Sequence, residues 1–128
     1  MPRLASVYAK MLGEKISKHN TVVYLINTGW SGGPYGVGKR INIKYSRAMV
    51  KAALSGALDI VKYRHDEIFN LDVPTECPGV PTEVLISKNT WIDKDSYALS
   101  AKKLAQMFID NFKRFDDSDE IRKAGPKA

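Results

Sequence analysis

The stretch from Val22 to Ser46, VVYLINTGWSGGPYGVGKRINIKYS, decides how the rest of the chain is interpreted. It opens with five consecutive apolar or aromatic residues, and a run too apolar to alternate is typical of a strand covered on both faces. The sequence therefore predicts a buried strand at 21–27. A loop with glycines at 32, 33, 36 and 38 follows and ends in the cationic pair Lys39 and Arg40. Because glycine-rich loops after such strands often bind phosphates or nucleotides, this loop is the first candidate for a functional site.

The loop itself matches neither of two common nucleotide-binding patterns. It reads G-x-x-G-G-x-x-G-x-G-K-R, which is neither G-x-G-x-x-G nor G-x-x-x-x-G-K-[ST], because Arg40 stands where the hydroxyl residue would be. Without that hydroxyl there is no magnesium ligand, so a self-sufficient phosphate-binding loop is disfavoured. The pattern is compatible with two roles for this loop: a tight structural turn, or a loop that contacts a ligand.

Hydrophobic periodicity predicts the elements on either side of this loop. Residues 4–18 and 47–55 should form amphipathic helices, and Ser46 is the expected N-cap of the second. The alternation of polar and apolar residues over 40–44 predicts a short strand with one buried face.

The second half of the chain contains the most regular helix. One or two short strands or irregular segments are expected in 57–73, and the proline-rich segment 74–83 should be a rigid extended loop that wraps a surface and makes no core. A helix capped by Asp93 then carries an apolar stripe about four turns long. The tail 116–128 is charged, ends in Gly-Pro-Lys-Ala, and should be loose.

Together these elements predict an α/β fold, with a small mixed sheet flanked by helices and the final helix packed across it. A chain of 128 residues fits one domain, 1–128, and should bury roughly two thirds of its unfolded surface.

Composition and charge limit the possible functions. The chain is 44% hydrophobic and 27% charged, with no apolar run near the roughly 18 residues that cross a membrane. Its start does not resemble a secretory signal, and a single cysteine indicates a reducing, cytoplasmic compartment. The net charge of +6 permits anionic ligands but does not choose among them.

Few side chains are candidates for chemistry on their own. His19 and His65 lack a second ligand at metal spacing, so surface or hydrogen-bonding roles are favoured for both. Cys77 has no evident base or electropositive setting, which favours a structural cysteine.

Five segments, taken in order, carry a more specific signal. They are YLINTGWSGGPYGVGKR, INIKYSRAMVKAALSGALD, IFNLDVPTECPGVPTEVL, NTWIDKD and KKLAQMFIDNF. From about Val7 to Phe115 the chain resembles the C-terminal part of the ATP-dependent phosphoenolpyruvate carboxykinases. The resemblance makes 1–128 a partial domain, the C-terminal segment of that family's nucleotide-binding domain.

The resemblance implies a lyase activity for the complete enzyme. Members of this family decarboxylate oxaloacetate and phosphorylate it with ATP, giving phosphoenolpyruvate, CO2 and ADP in gluconeogenesis, and they use Mg2+ and Mn2+. The metal ligands and other catalytic groups are expected upstream of the region resembled here, so no catalytic or metal-binding residue is assigned. The isolated chain is expected to be inactive.

The family's nucleotide contacts can be carried over at three positions. The resemblance implies that Arg40 packs near the adenine of ATP, that Ile41 adds a backbone or apolar contact, and that Ser46 contacts the nucleotide where the family usually has threonine. From the residues alone, Arg40 would be a surface ion pair and Ser46 a plain helix cap.

Three interpretations remain for the chain as a whole. It is a C-terminal piece of the enzyme that works with the rest of the carboxykinase polypeptide, or a non-catalytic module that pairs with a second copy or another partner through exposed edges. The third, a nucleic-acid-binding domain, predicts aromatic residues interleaved with lysines on one sheet face, and this pattern is absent.

Overall fold

A computed structural model describes residues 3–115 and 118–127 as short strands and helices of mixed length. The helices are α1 (Ala5–His19), α2 (Ile43–Leu54), α3 (Thr82–Leu85), α4 (Ser87–Thr90), α5 (Lys94–Phe112) and α6 (Asp119–Ala124). The strands are β1 (Trp30–Ser31), β2 (Lys39–Arg40), β3 (Tyr63–Asp66) and β4 (Leu71–Pro74). In these ranges no helix is both long and apolar enough to cross a membrane.

The strands form two separate antiparallel pairs. Strand β1 pairs with β2, placing Trp30 opposite Arg40, and β3 pairs with β4, placing Tyr63 opposite Pro74. The α/β content is therefore confirmed, whereas the prediction of one small mixed sheet is wrong for the described residues. Each pair is a local hairpin, and no described strand connects the two.

The segment 21–28 is the largest departure from the sequence prediction. The strand predicted at 21–27 is wrong, because these residues have no regular secondary structure. A strand needs a neighbour to accept and donate its backbone hydrogen bonds, and hydrophobicity alone does not supply one. Leu25 is 87% exposed. The Tyr24 hydroxyl donates to Asp59 Oδ1 at 2.6 Å, which ties the segment to the rest of the chain.

Helix α2 starts earlier than its sequence pattern indicated. Asn42 is the N-cap, with its Oδ1 accepting from the Lys44 amide at 3.0 Å, so the predicted N-cap at Ser46 is wrong. The strand expected over 40–44 is correspondingly reduced to Lys39–Arg40, because Ile43 is already helical. Ser46 instead lies within α2, where its amide donates to the Asn42 carbonyl.

The two long helices agree with the sequence. Helix α1 matches the prediction for 4–18, and α5 begins after its predicted cap, Asp93, which accepts from the Asp95 amide at 2.9 Å. Hydrogen bonds from the Ser96 hydroxyl and the Asp95 amide lower the pKa of Asp93. Periodicity and caps are local properties, which is why both helices were predictable.

The core is small, and the proline-rich segment helps to build it. Ala52, Leu58, Cys77 and Val80 form the buried cluster, and Cys77 and Val80 come from the segment expected to make no core. That expectation is wrong, because prolines limit backbone pairing but leave neighbouring side chains free to be buried. The turn around Gly79 brings the Val80 amide within 3.0 Å of the Cys77 carbonyl.

The structure exposes much more surface than a compact chain of its size. Its accessible surface is 10,020 Å², against about 6,800 Å² for a compact folded chain of 14.3 kDa. The chain therefore buries about half of its unfolded surface, and the expected two thirds is wrong. Many large apolar side chains remain uncovered.

The described part of the tail carries the short helix α6. Ser118 caps it by accepting from the Ile121 amide, and the amide of Lys127 donates to the Ile68 carbonyl at 2.8 Å. Asn70 Nδ2 donates to the Ala124 carbonyl at 2.9 Å, so α6 lies against the turn between β3 and β4. Residues 116, 117 and 128 lie outside the described residues, and looseness of the tail, which concerns motion, stays a prediction.

Candidate functional site

The glycine-rich loop joins two antiparallel strands. The amides of Val37 and Gly38 both donate to the Pro34 carbonyl, which closes the turn between β1 and β2. A Cβ at Gly38 would collide with the Gly33 carbonyl oxygen, so this position requires glycine. The loop is therefore a tight structural turn in a hairpin, and it does not lead into the start of a helix as a phosphate-binding loop does.

The hairpin docks on the end of α4. Gly32 has a φ of 84°, and a Cβ there would lie 3.0 Å from the Thr90 carbonyl oxygen, so the two backbones approach closely. The Ser31 hydroxyl donates to Thr90 Oγ1 at 3.0 Å, and Thr90 Oγ1 donates to the Ser87 carbonyl at 2.7 Å. These contacts hold the two elements together across 59 residues of sequence.

A cavity of about 430 Å³ opens between the hairpin, the start of α2 and the α3–α4 region. We call it the hairpin cavity. Its apolar walls come from five side chains: Val37, Ile41, Tyr45, Val84 and Ile92. Its polar side chains are Ser31, Lys39, Arg40, Asn42 and Thr90.

The predicted site residues fall unevenly around this cavity. Arg40 and Ile41 line it, and Ile41 is held by its amide, which donates to the Gly29 carbonyl at 2.9 Å. Ser46, half-buried in α2, is not among the lining residues, so its nucleotide contact stays a prediction. The structure thus brings two of the three positions together.

The cationic end of the cavity is exposed. Lys39 and Arg40 lie side by side on β2, and in residues 3–115 and 118–127 neither forms an ion pair. The surface ion pair that the residues alone would favour for Arg40 is thus not found among the described side chains. A free guanidinium plane can stack on a flat ring and still reach an oxygen atom.

A larger opening lies beside the hairpin cavity, and we call it the apolar cleft. It has a volume of about 940 Å³ and runs between segment 22–27 and strand β4. Its floor includes Met49, Leu58, Cys77 and Leu85. It shares five lining residues with the hairpin cavity: Ser31, Gly32, Ile41, Val84 and Thr90. The cleft is thus an open groove that extends from segment 22–27 to the core residues Leu58 and Cys77.

The remaining candidates have structural roles, as the sequence indicated. His19 is exposed at the end of α1, and His65 Nδ1 lies 2.9 Å from Asp72 Oδ1 across the β3–β4 hairpin. Cys77 is buried in the core, and this burial raises the pKa of its thiol. His19 thus lies on the surface, His65 forms a hydrogen bond and Cys77 is part of the core, in agreement with the predictions for these three residues.

No group of three or more His, Cys, Asp or Glu side chains that could hold a metal ion occurs in the part of the chain that the structure describes. The described residues thus do not fit the Mg2+ or Mn2+ that the resemblance implies for the complete enzyme. No chemical step is assigned to a metal at this site.

The sequence did not predict most of the side chains that line the cavity, Thr90 and Tyr45 among them. Thr90 lies far along the chain from Ser31, and no local pattern connects them. Tyr45 lines the cavity from the first turn of α2. No local pattern marks Tyr45 as a cavity residue, because Ile41 lies before the N-cap Asn42 and shares no helix face with Tyr45.

Comparison with known proteins identifies the family. The family model for phosphoenolpyruvate carboxykinase matches residues 1–83. The chain is 60% identical over 129 residues to the phosphoenolpyruvate carboxykinase (ATP) of Fusobacterium nucleatum and 59% identical over 128 residues to that of Caldanaerobacter subterraneus. That of Thermus thermophilus is 52% identical over 129 residues.

These matches show that the chain belongs to the ATP-dependent phosphoenolpyruvate carboxykinase family, which confirms the resemblance to its C-terminal part. Each of the three matches covers 99% of this chain. The chain spans about a quarter of the length of these curated relatives, 25%, 25% and 24% respectively.

Proposed function

We propose that this chain forms the adenine side of the ATP site in a phosphoenolpyruvate carboxykinase. The complete enzyme would convert oxaloacetate and ATP to phosphoenolpyruvate, CO2 and ADP, in the cytoplasm and in gluconeogenesis. The observation that carries the proposal is the exposed guanidinium of Arg40 beside the apolar wall of Ile41 in the hairpin cavity.

The cavity suits an adenosine group. Its volume of about 430 Å³ lies within the roughly 300–1,000 Å³ typical of small-molecule sites, and its walls are mainly apolar with a few polar groups. Arg40 can stack on the purine and reach a ribose or phosphate oxygen. Phosphoryl transfer needs positioned cations around the phosphates, and we assign those groups, with Mg2+ and Mn2+, to the rest of the polypeptide.

The apolar cleft supports the part of the proposal in which this chain works together with the rest of a carboxykinase polypeptide. Among the described residues no strand pairs with segment 22–27, which exposes side chains such as Leu25 along one wall of the cleft. Unpaired strand-like segments bind other strands. We propose that the rest of the carboxykinase polypeptide covers this cleft, with no role for nucleic acid or a membrane.

Replacement of Arg40 tests the nucleotide site. We expect Arg40→Ala to weaken ATP binding to the chain about fivefold, because one partly exposed stacking contact contributes on the order of 1 kcal/mol. The measurement is an NMR titration of the 15N-labelled chain, which follows weak binding through the amides of Ile41 and Val37. Arg47→Ala, an exposed arginine of α2 outside the cavity, is the matched control. Equal affinities for wild type and Arg40→Ala would contradict the proposal.

The alternative function is a self-associating module without a catalytic role. The observation in its favour is the same uncovered cleft, which a second copy could fill. We then expect a dimer fraction that rises with concentration in sedimentation velocity experiments, and that Leu25→Glu removes. A monomer at all concentrations up to the millimolar range would rule this module out.

A further inference from the structure

We propose that the hydroxyl pair Ser31 and Thr90 selects adenine over 6-oxopurines in the hairpin cavity, with Ser31 Oγ accepting a hydrogen bond from the exocyclic amine. The inference rests on the proposed nucleotide site and adds a specificity determinant to it. Neither residue belongs to the set that the family resemblance assigned, which is Arg40, Ile41 and Ser46.

The Ser31, Thr90 and Ser87 groups form a chain of two hydrogen bonds, and the carbonyl at its end fixes which atom donates in each. Thr90 Oγ1 lies 2.7 Å from the carbonyl oxygen of Ser87, which has no proton to give. The single hydroxyl proton of Thr90 is therefore committed to that carbonyl. Ser31 Oγ lies 3.0 Å from Thr90 Oγ1, so the bond between them must use the proton of Ser31.

Ser31 is consequently left as a pure acceptor. Its hydroxyl proton is donated to Thr90, so its oxygen can only accept further hydrogen bonds. Ser31 lines the hairpin cavity, so a group bound there meets an acceptor at this point. The 6-amino group of adenine is a donor and can bond to the Ser31 oxygen. The 6-oxo group of guanine or hypoxanthine is itself an acceptor, so it would face the Ser31 oxygen without a hydrogen bond.

The backbone fixes this acceptor relative to the cationic end. Ser31 pairs with Lys39 in the β1–β2 register, one residue from the Trp30–Arg40 pair. The close approach of Gly32 to the Thr90 carbonyl holds the hairpin against α4. Ser31 and Arg40 both line the hairpin cavity, so a purine stacked by Arg40 there would meet a hydroxyl whose orientation is set before the ligand arrives, which is the arrangement that gives discrimination.

Nucleotide analogues test the inference without altering the protein. We expect the wild-type chain to bind ATP about fivefold more tightly than purine riboside 5′-triphosphate, which lacks the 6-amino group, because one neutral hydrogen bond is lost. We expect inosine 5′-triphosphate to bind about tenfold more weakly than ATP, because its 6-oxo group leaves an acceptor unpaired. The Kd values come from the same NMR titration.

Two variants then locate the effect in the hydroxyl pair. Ser31→Ala should weaken ATP binding about fivefold and leave purine riboside 5′-triphosphate unchanged. Thr90→Val removes the acceptor of the Ser31 proton, so Ser31 is free to donate and the preference for ATP over inosine 5′-triphosphate should fall toward one. Ser100→Ala, an exposed hydroxyl of α5, is the matched control and should preserve every ratio.

Two results would overturn the inference, and they are distinguishable. If ATP shifts the cavity amides but the three nucleotides bind equally well to wild type, or Ser31→Ala weakens all of them alike, the inference fails and the nucleotide site stands. If no nucleotide shifts the amides of the residues lining the cavity, the proposed function fails together with the inference.

Discussion

We expect carboxykinase turnover to appear when the chain is mixed with the remaining three quarters of the Fusobacterium nucleatum relative, and neither part to turn over alone. The reason is that the proposed function divides the reaction between the adenine side in this chain and the phosphates, metals and oxaloacetate in the rest. The chain exposes about 3,200 Å² more than a compact chain of its size, an excess large enough for an obligate interface, in which the two partners together bury roughly 2,000–5,000 Å². The measurement is oxaloacetate-dependent phosphoenolpyruvate formation with ATP, Mg2+ and Mn2+.

The apolar cleft provides the variant for this experiment. Leu25→Glu should abolish the recovered turnover, since it would bury an unpaired carboxylate in the interface. Leu99→Glu is the matched control, because Leu99 is 73% exposed on α5 and outside the cleft. Turnover by the chain alone would contradict the division of labour, and so would a stable complex of the two parts that remains inactive.

The second large effect concerns the core. We expect Leu58→Ala to lower the free energy of unfolding by about 3 kcal/mol, because it removes a large apolar side chain that is 4% exposed and leaves a cavity. The rest of the buried cluster consists of Ala52, Cys77 and Val80, so Leu58 supplies the largest side chain in it. Against a total stability of roughly 5–15 kcal/mol, that loss leaves a much larger unfolded fraction.

Urea denaturation followed by circular dichroism measures this effect. Leu54→Ala is a sequence-near control, since Leu54 is 84% exposed at the end of α2 and its removal should change stability by no more than about 0.5 kcal/mol. If Leu58→Ala and Leu54→Ala unfolded at the same urea concentration, the cluster around Leu58 would not be the core of this protein.

The sequence predicted what depends on neighbours along the chain. Helix α5 and its cap at Asp93 follow from periodicity and one side chain, and both are found. The strand at 21–27 depends on a partner strand, which periodicity does not reveal, and no described strand pairs with it. The N-cap predicted at Ser46 is found at Asn42, because both residue types are good caps and the hairpin before Asn42 decides where the helix begins.

The candidate site also contains residues that the sequence predicted and contacts that it could not predict. Arg40 and Ile41 were found through the resemblance of a continuous segment, and they line one cavity. The Ser31–Thr90 bond joins residues 59 apart, and its donor direction depends on a backbone carbonyl in α4. A contact between residues so far apart, and the direction of its hydrogen bond, can be seen only in the folded structure and not in a short sequence motif.

The small core also has a consequence for the order in which the chain assembles. The four residues of the buried cluster lie between Ala52 and Val80, so only short loops must close to bring them together. The hairpin cavity, by contrast, needs Ser31 to meet Thr90, which is synthesised after the last residue of that cluster. A nascent chain leaving the ribosome can therefore bury this cluster before the walls of its cavity are joined.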